Sequence, residues 1–431
     1  MPPISSAPYT SELAEALAPG VLDRFVRYAR IDTQSDRAHT QSPSTPGQLE
    51  LGRLLVEELR AIGLADAAQD ENGFVTATLE GNAPGAPAIG LLAHLDTSPD
   101  ESGAGVEPLV HRGYNGGTIE LPRGDSALDP ERMPELTSKL GHDIVTGSGD
   151  TLLGADDKAG MAEVVEAVTY LAAHPELLRA TVKVGFTPDE EIGKGAFLFD
   201  IDGFGAACAY TFDGSEAGEF TDETFSAASA DLTIHGVEVH PGMATGKLVN
   251  AARLAGRVLA ALPQDRLTPE STSEREGFIH VYAVEATAGR AEIKTIVRDF
   301  DDAVLAEHLA LLRRTAEEIV ATEPRARLEF ATAEQDPNMR NYLDRHPEVS
   351  EAALEALRRE GFEPRRVPIR GGTDGSILSA RGLPTPNIFT GGHEYHSTRE
   401  WASLQDMASA AAVAVRLAGV WAERGAAPGS A

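Results

Sequence analysis

A single cysteine, Cys208, stands among 431 residues, so no internal disulfide can staple the chain. It lies in the apolar run 206–212, which predicts a buried structural thiol. Basic residues are scarce: 37 Lys and Arg face 67 Asp and Glu, a formal net charge of -30. That charge repels phosphate backbones and anionic membrane surfaces, and no concentrated basic patch offsets it, which excludes nucleic acid and membrane as partners. Long apolar runs are missing too. The best stretch, residues 408–422, carries Arg416 in its middle and falls short of the roughly 18–20 apolar residues of a membrane span. Residues 1–20 lack the basic start and apolar stretch of a secretory signal, so the expected location is cytoplasmic. There is no Gly-x-Ser-x-Gly elbow, no Walker-type phosphate loop and no Gly-x-Gly-x-x-Gly fingerprint, which argues against serine hydrolysis and nucleotide binding.

What is present reads as an ordinary soluble protein, 42% hydrophobic and 24% charged, long enough for two or more domains. The first half alternates helical patterns (residues 11–30, 46–63 and 159–173) with short apolar runs that read as strands (74–80, 88–94, 180–186 and 206–212). This rhythm predicts an α/β sheet, interrupted by a Gly/Pro-rich loop over 97–151. The middle reads strand 228–235, helix 248–262, strands 278–286 and 291–298, helix 303–321 and strand 327–331. That order is the β-α-β-β-α-β ferredoxin-like motif. Helical patterns over 343–361 and 403–422 then return to the style of the first half, with a short polar stretch at 35–44 and a frayed tail after Arg424. The expected architecture is an α/β catalytic domain in two segments, 1–222 and 334–431, around an inserted α+β domain, 223–333.

His and carboxylate residues cluster just past the ends of these strands: His94 with Asp96, Asp156 with Asp157, Glu190 with Glu191, Asp213, and later His393 and His396. Ligands of open α/β sheets gather outside the carboxyl ends of strands, so the placement has a physical basis. A His-x-Asp pair puts both side chains on one face, where the carboxylate can fix the imidazole tautomer for a metal. Two adjacent aspartates in LLGADDKAG crowd like charge unless a cation neutralises it; helix capping by one of them is the plainer reading. In FTPDEEIG, one glutamate could bind a metal while its neighbour faces a reacting water. Asp213 in TFDG also suits a simple turn. His and carboxylate donors without a Cys set fit a catalytic zinc pair better than a structural zinc.

HLDTSPD, LLGADDKAG, FTPDEEIG, TFDG, VHPG, VRDFD, PIRGGTDGS and GGHEYH occur in the order found in peptidase T, which the chain resembles from residue 32 to its C-terminal helix. It is also similar to the wider family of co-catalytic zinc peptidases and deacylases. The resemblance implies a tripeptide aminopeptidase with two zinc ions per chain: His94 and Asp213 on one, Glu191 and His396 on the other, Asp156 bridging. It further implies that Asp96 orients His94, that Glu190 is the general base for the attacking water, and that the Asp156–Asp157 peptide is cis. His240 resembles a histidine that reaches another active site to stabilise the tetrahedral intermediate, which would need domain closure or a homodimer through the inserted domain. Arg298, Asn338 and Arg370 are candidates for the substrate's terminal carboxylate, although Arg298 equally suits an ion pair with Asp301 or Asp302.

The last motif departs from the family pattern GGYNYHGKHE: here it reads GGHEYHSTRE, which keeps His396 and adds His393 as a competing ligand or pocket wall. Two other readings share part of the sequence. A related di-zinc deacylase, dipeptidase or carboxypeptidase would keep the same ligands, whereas a metal-free binding or assembly protein would be expected to have lost at least one of them.

Overall fold

The computed structural model describes residues 9–124 and 126–426, so residues 1–8 and the end of the expected tail, 427–431, lie outside it. Among the described residues two compact units emerge: those within 1–222, 342–367 and 377–431 form the first, and those within 223–341 and 368–376 the second. The first is an α/β unit and the second an α+β unit inserted into it.

The first unit is built on an eight-stranded mixed sheet. At its centre Ile89–His94 runs parallel to both Val182–Thr187 and Cys208–Gly214, and Asn387–Phe389 continues parallel to Cys208–Gly214. Ile89–His94 is buried along its whole length. That is the mark of a strand covered on both faces, and it explains the unbroken apolar reading of 88–94. Helix Glu12–Ala29 starts at an N-cap, Ser11, that accepts from the Ala14 amide, and it buries Ala14, Leu17, Val21, Phe25 and Tyr28. With Ala155–Ala173 and the C-terminal helix Leu404–Ala426 it forms a mutually packed group of helices on the sheet. Cys208 is buried in this framework.

Residues 97–151, expected as loop, are partly sheet. Leu109–His111, Ile144–Thr146, Trp401–Ser403 and Gly392–His393 make a four-stranded sheet, and Ile119–Glu120 pairs with Ala127–Leu128. Strands of two or three residues show no periodicity. The partner at Trp401–Ser403 is remote in sequence, so local pattern could not reveal it.

The second unit pairs Phe278–Ala286, Arg290–Asp299, Ser226–His235 and Arg327–Glu334, in that spatial order, all antiparallel. Helices Ala251–Ala261 and Asp302–Val320 pack on this sheet over Leu232, Ile234, Val258, Ile293, Val297 and Leu312. This is the ferredoxin-like motif.

One residue of helix Ala155–Ala173 opposes its own burial. Glu163 is fully buried, and neither carboxylate oxygen has a hydrogen-bond partner among the described residues. Burial, reinforced by the charges of Asp157 and Asp406, holds its carboxyl well above the usual carboxylate range. In the unfolded chain a glutamate ionises near about 4.3, so here the folded state keeps a proton that the unfolded state releases. This raised acid lowers stability progressively as pH rises above the unfolded pKa, the reverse of a paired carboxylate. Glu163→Met is therefore expected to stabilise the protein at pH 8 by on the order of 1–3 kcal/mol, and by less at pH 5. Thermal unfolding of the two proteins at both pH values checks this; an equal or lower melting temperature for the variant at pH 8 overturns it.

Candidate active site

The three parallel strands deliver their carboxyl ends to one edge of the sheet. Ile89–His94 ends on His94, Val182–Thr187 leads into the short 3-10 turn Glu190–Ile192, and Cys208–Gly214 carries Asp213 near its end. Asn387–Phe389 leads into the segment that bears His396, where His396 and Glu394 both adopt positive φ. Asp156 and Asp157 arrive from the start of helix Ala155–Ala173, where their backbone is non-helical and the peptide between them is cis. Gly160 explains why this helix can lie so close: a Cβ there would sit 2.0 Å from the Phe212 carbonyl oxygen, on the strand that brings Asp213.

Two donor groups result among the described residues. His94, Asp156 and Asp213 form one, and Asp156, Glu191 and His396 the other, with the ligand atoms of each group lying within 4.8 Å of one another. Asp156 belongs to both. Its Oδ1 lies 2.8 Å from His94 Nε2, and its Oδ2 lies 3.4 Å from His396 Nε2. Glu191 Oε2 lies 3.0 Å from His396 Nε2, and Asp213 Oδ1 lies 3.7 Å from His94 Nε2. Glu191 Oε1 is buried without a hydrogen-bond partner among the described residues.

Surrounding residues fix these donors. The other nitrogen of His94, Nδ1, is 3.0 Å from the Asp96 carbonyl oxygen and 3.4 Å from its Oδ1. Asp96, fully buried, also accepts from the amides of Glu190 (2.9 Å) and Glu191 (3.2 Å), so one carboxylate ties the His94 strand to the Glu190–Ile192 turn. Asp157 carries the capping role: it accepts from the Gly160 amide and from the His94 amide, while Asp156 faces the imidazoles.

The electrostatics describe a site that draws positive charge. Burial alone would lower His94, but hydrogen bonds to Asp156, Asp213 and Asp96 carry it well above the usual histidine range. His396 is pushed up to about 11 by Asp156 and Glu191. Burial first, and then the charge of Asp156, raises Asp213 to about 6 and Glu191 to about 7. Asp156 is itself raised by burial, but its bonds to His396 and His94 outweigh this and hold it below the usual carboxylate range. Hard oxygen and imidazole donors, a carboxylate shared between two groups and an orphaned Glu191 oxygen together fit a pair of divalent cations.

Other residues singled out in the sequence fall elsewhere. Glu190 lies beside Glu191 and outside both groups. His393 does not join them either; it is buried, stacked on Trp401 at 4.1 Å between ring centroids, and burial lowers it to about 4, so it is neutral. Of the two roles open to His393, competing ligand or pocket wall, neither donor group includes it as a ligand.

His240, in the second unit, is exposed and caps the short turn Pro241–Met243, its Nδ1 accepting from the Gly242 amide. Arg298 is half-buried; its Nη1 donates to the Arg370 carbonyl, its Nε has no partner among the described residues, and its guanidinium faces Asp336 rather than Asp301 or Asp302. Arg370 lies over the Phe225 and Phe278 rings and donates to the Glu274 carbonyl and Thr272. Asn338 is buried, accepting from the Thr224 and Arg340 amides and donating to the Phe300 carbonyl.

The structure adds residues the motifs did not single out. Tyr395 and Thr390 both donate to the Gly214 carbonyl, steadying the residue after Asp213. Glu400 accepts from three amides beside Asp156. Their partners are main-chain groups remote in sequence, which leave no local signal.

Known proteins resemble this chain in sequence and in fold. The sequence profile of peptidase family M20/M25/M40 matches residues 152–419. Peptidase T of Shouchella clausii is 48% identical over 94% of this chain and 98% of its own, and peptidase T of Vibrio atlanticus is 44% identical over 92% and 97%. The solved structure of aminopeptidase PepT from Bacillus cereus shares the fold with a TM-score of 0.74, covering 94% of this chain and 99% of its own at 21% identity. With a family profile spanning most of the chain and relatives this similar along nearly all of it, the chain belongs to peptidase family M20/M25/M40 and, within it, to the peptidase T group.

Proposed function

We propose that the protein is a tripeptide aminopeptidase that works with two zinc ions, one held by His94 and Asp213, the other by Glu191 and His396, with Asp156 shared between them. The observation that carries this reading is the Asp156 carboxylate, whose two oxygens face one imidazole each, His94 and His396. When bound, such a metal pair supplies Lewis acidity at the scissile carbonyl and favours ionisation of the attacking water. The chain's own residues do the rest. Glu190 takes the proton from the attacking water and returns it to the leaving amine, and Asp96 keeps the base, its neighbour Glu191 and His94 in one frame.

Arg298 is the candidate for gripping the terminal carboxylate, its half-buried guanidinium retaining an unused Nε donor. For Asn338 and Arg370 the observed contacts support holding the surrounding backbone around Arg298 and the Phe225 ring. His240 is exposed in the second unit, which is compatible with stabilising the oxyanion in a homodimer joined through that unit. Among the described residues no helix is long and apolar enough to cross a membrane. Separately, the strong negative charge repels nucleic acid and anionic membrane surfaces, which supports action on free short peptides in the cytoplasm.

A panel of free and N-blocked di-, tri- and tetrapeptides, assayed with zinc or cobalt, tests the reading. Release of the N-terminal residue is expected from free tripeptides above all, with blocked peptides resistant. Cleavage of blocked peptides at equal rates would point to a deacylase or carboxypeptidase, and no cleavage at all would sink the enzyme reading.

A further inference from the structure

We propose that Glu400 is a positioning residue that holds the main chain of Asp156, and so sets the spacing of the two metal positions before any cation arrives; this rests on the metal-centre reading above. The Glu400 side chain is 2% exposed, and both its oxygens are committed to main-chain donors. Its Oε2 accepts from the amides of Leu153 and Gly154, at 2.7 Å each, and its Oε1 accepts from the amide of Asp156 at 3.1 Å. Gly154 makes this convergence possible. Its φ of 78° turns the loop so that nearby amides form a concave, anion-binding surface, a conformation glycine adopts without strain. Amide donors to a buried carboxylate are charge-assisted and stronger than neutral pairs.

Asp156 needs such an anchor because of where it sits. Its φ of -86° and ψ of 102° are non-helical, so the regular helix pattern does not secure it. Glu400, by contrast, is four residues after His396, and its own amide donates to the Ser397 carbonyl, which closes the intervening turn. One short segment therefore presents the His396 imidazole and grips the backbone that carries the shared carboxylate. Behind it, the ammonium of fully buried Lys158 donates to the Ile31 carbonyl at 2.6 Å and adds positive charge in the neighbourhood of Glu400. Glu400 belongs to neither donor group, and its effect on the reaction passes through Asp156.

Glu400→Gln tests this. A glutamine turns an amide donor against at least one of the three N–H groups, so Asp156 loses part of its anchor. Zinc affinity, read by competition with a chromogenic chelator, is expected to fall roughly 10- to 100-fold, as for other supports of metal ligands. The visible spectrum of the cobalt-loaded variant should shift with it. A merely structural role would lower the melting temperature and leave both readouts unchanged; zinc affinity within twofold of the parent, with an unaltered cobalt spectrum, overturns the proposal.

Asp156→Asn serves as the control. If that variant binds zinc like the parent, the metal-centre reading fails; if it loses zinc while Glu400→Gln does not, only the role of Glu400 fails. Should Glu400→Gln not fold, amide exchange in the unaltered, metal-free protein decides. Slow exchange at Leu153, Gly154 and Asp156 is expected, and exchange as fast as in an exposed loop overturns the proposal.

Discussion

Replacing Glu190 by glutamine is expected to cut turnover of a free tripeptide by a factor of roughly 100 to 10,000 while the metal content stays unchanged. The expectation follows from how firmly this residue is framed. The amides of Glu190 and Glu191 are held by Asp96 at 2.9 and 3.2 Å. On the other side Asp189, with φ 58°, is fully buried and accepts from the Ser44 amide, Ser42 Oγ and Gln48 Nε2. A glutamine keeps the length and shape of the side chain and leaves all these main-chain contacts intact. What it removes is the ability to take up a proton. Because Glu190 belongs to neither donor group, the cations should remain. A loss of this size corresponds to about 2.7–5.5 kcal/mol of transition-state stabilisation. Steady-state kinetics with parallel metal analysis checks it: activity within tenfold of the parent places the base elsewhere, and loss of metal along with activity would make Glu190 a ligand.

The parts of the site that local chemistry can express were legible in the sequence. His94, Glu190, Glu191 and Asp213 each follow an apolar run, and parallel strands by their topology bring such ends to one edge. The two aspartates of LLGADDKAG announced themselves by crowding like charge. The second unit was legible almost element by element, because its strands and helices are long enough to show their periods. What stayed hidden depends on partners remote in sequence. Nothing near His393 says that its ring will stack on Trp401 and leave the centre alone. Nothing in STRE says that the glutamate will receive amides from Leu153 to Asp156. The short strands within 97–151 are likewise defined by Trp401–Ser403 rather than by their own composition. The grouping of residues 368–376 with the second unit also depends on remote pairing, the Ile369 amide donating to the Glu223 carbonyl.

Chelation should abolish turnover and lower the melting temperature by on the order of 5–10 °C, reversibly on adding back zinc or cobalt. Cations that bind only the folded chain contribute about 4 kcal/mol per site at a thousandfold excess over Kd, so the shift is set by affinity and free metal concentration. Here the gain has a structural source. Asp156, Asp213 and Glu191 are gathered around two imidazoles, and without a cation the balance is met by raised histidines and partly by protons on Asp213 and Glu191. Yet the metal-free protein should stay folded. The Asp96 and Glu400 carboxylates hold the donor segments through main-chain bonds that need no cation, and the central strand Ile89–His94 is buried along its length. Scanning calorimetry before chelation, after it and after metal return distinguishes the outcomes. An unchanged melting temperature in fully depleted protein would mean that protonation alone relieves the carboxylates, and the donor cluster would then lose its standing as a cation site. Complete unfolding on depletion would instead mean that the main-chain clamps are too weak to preform it.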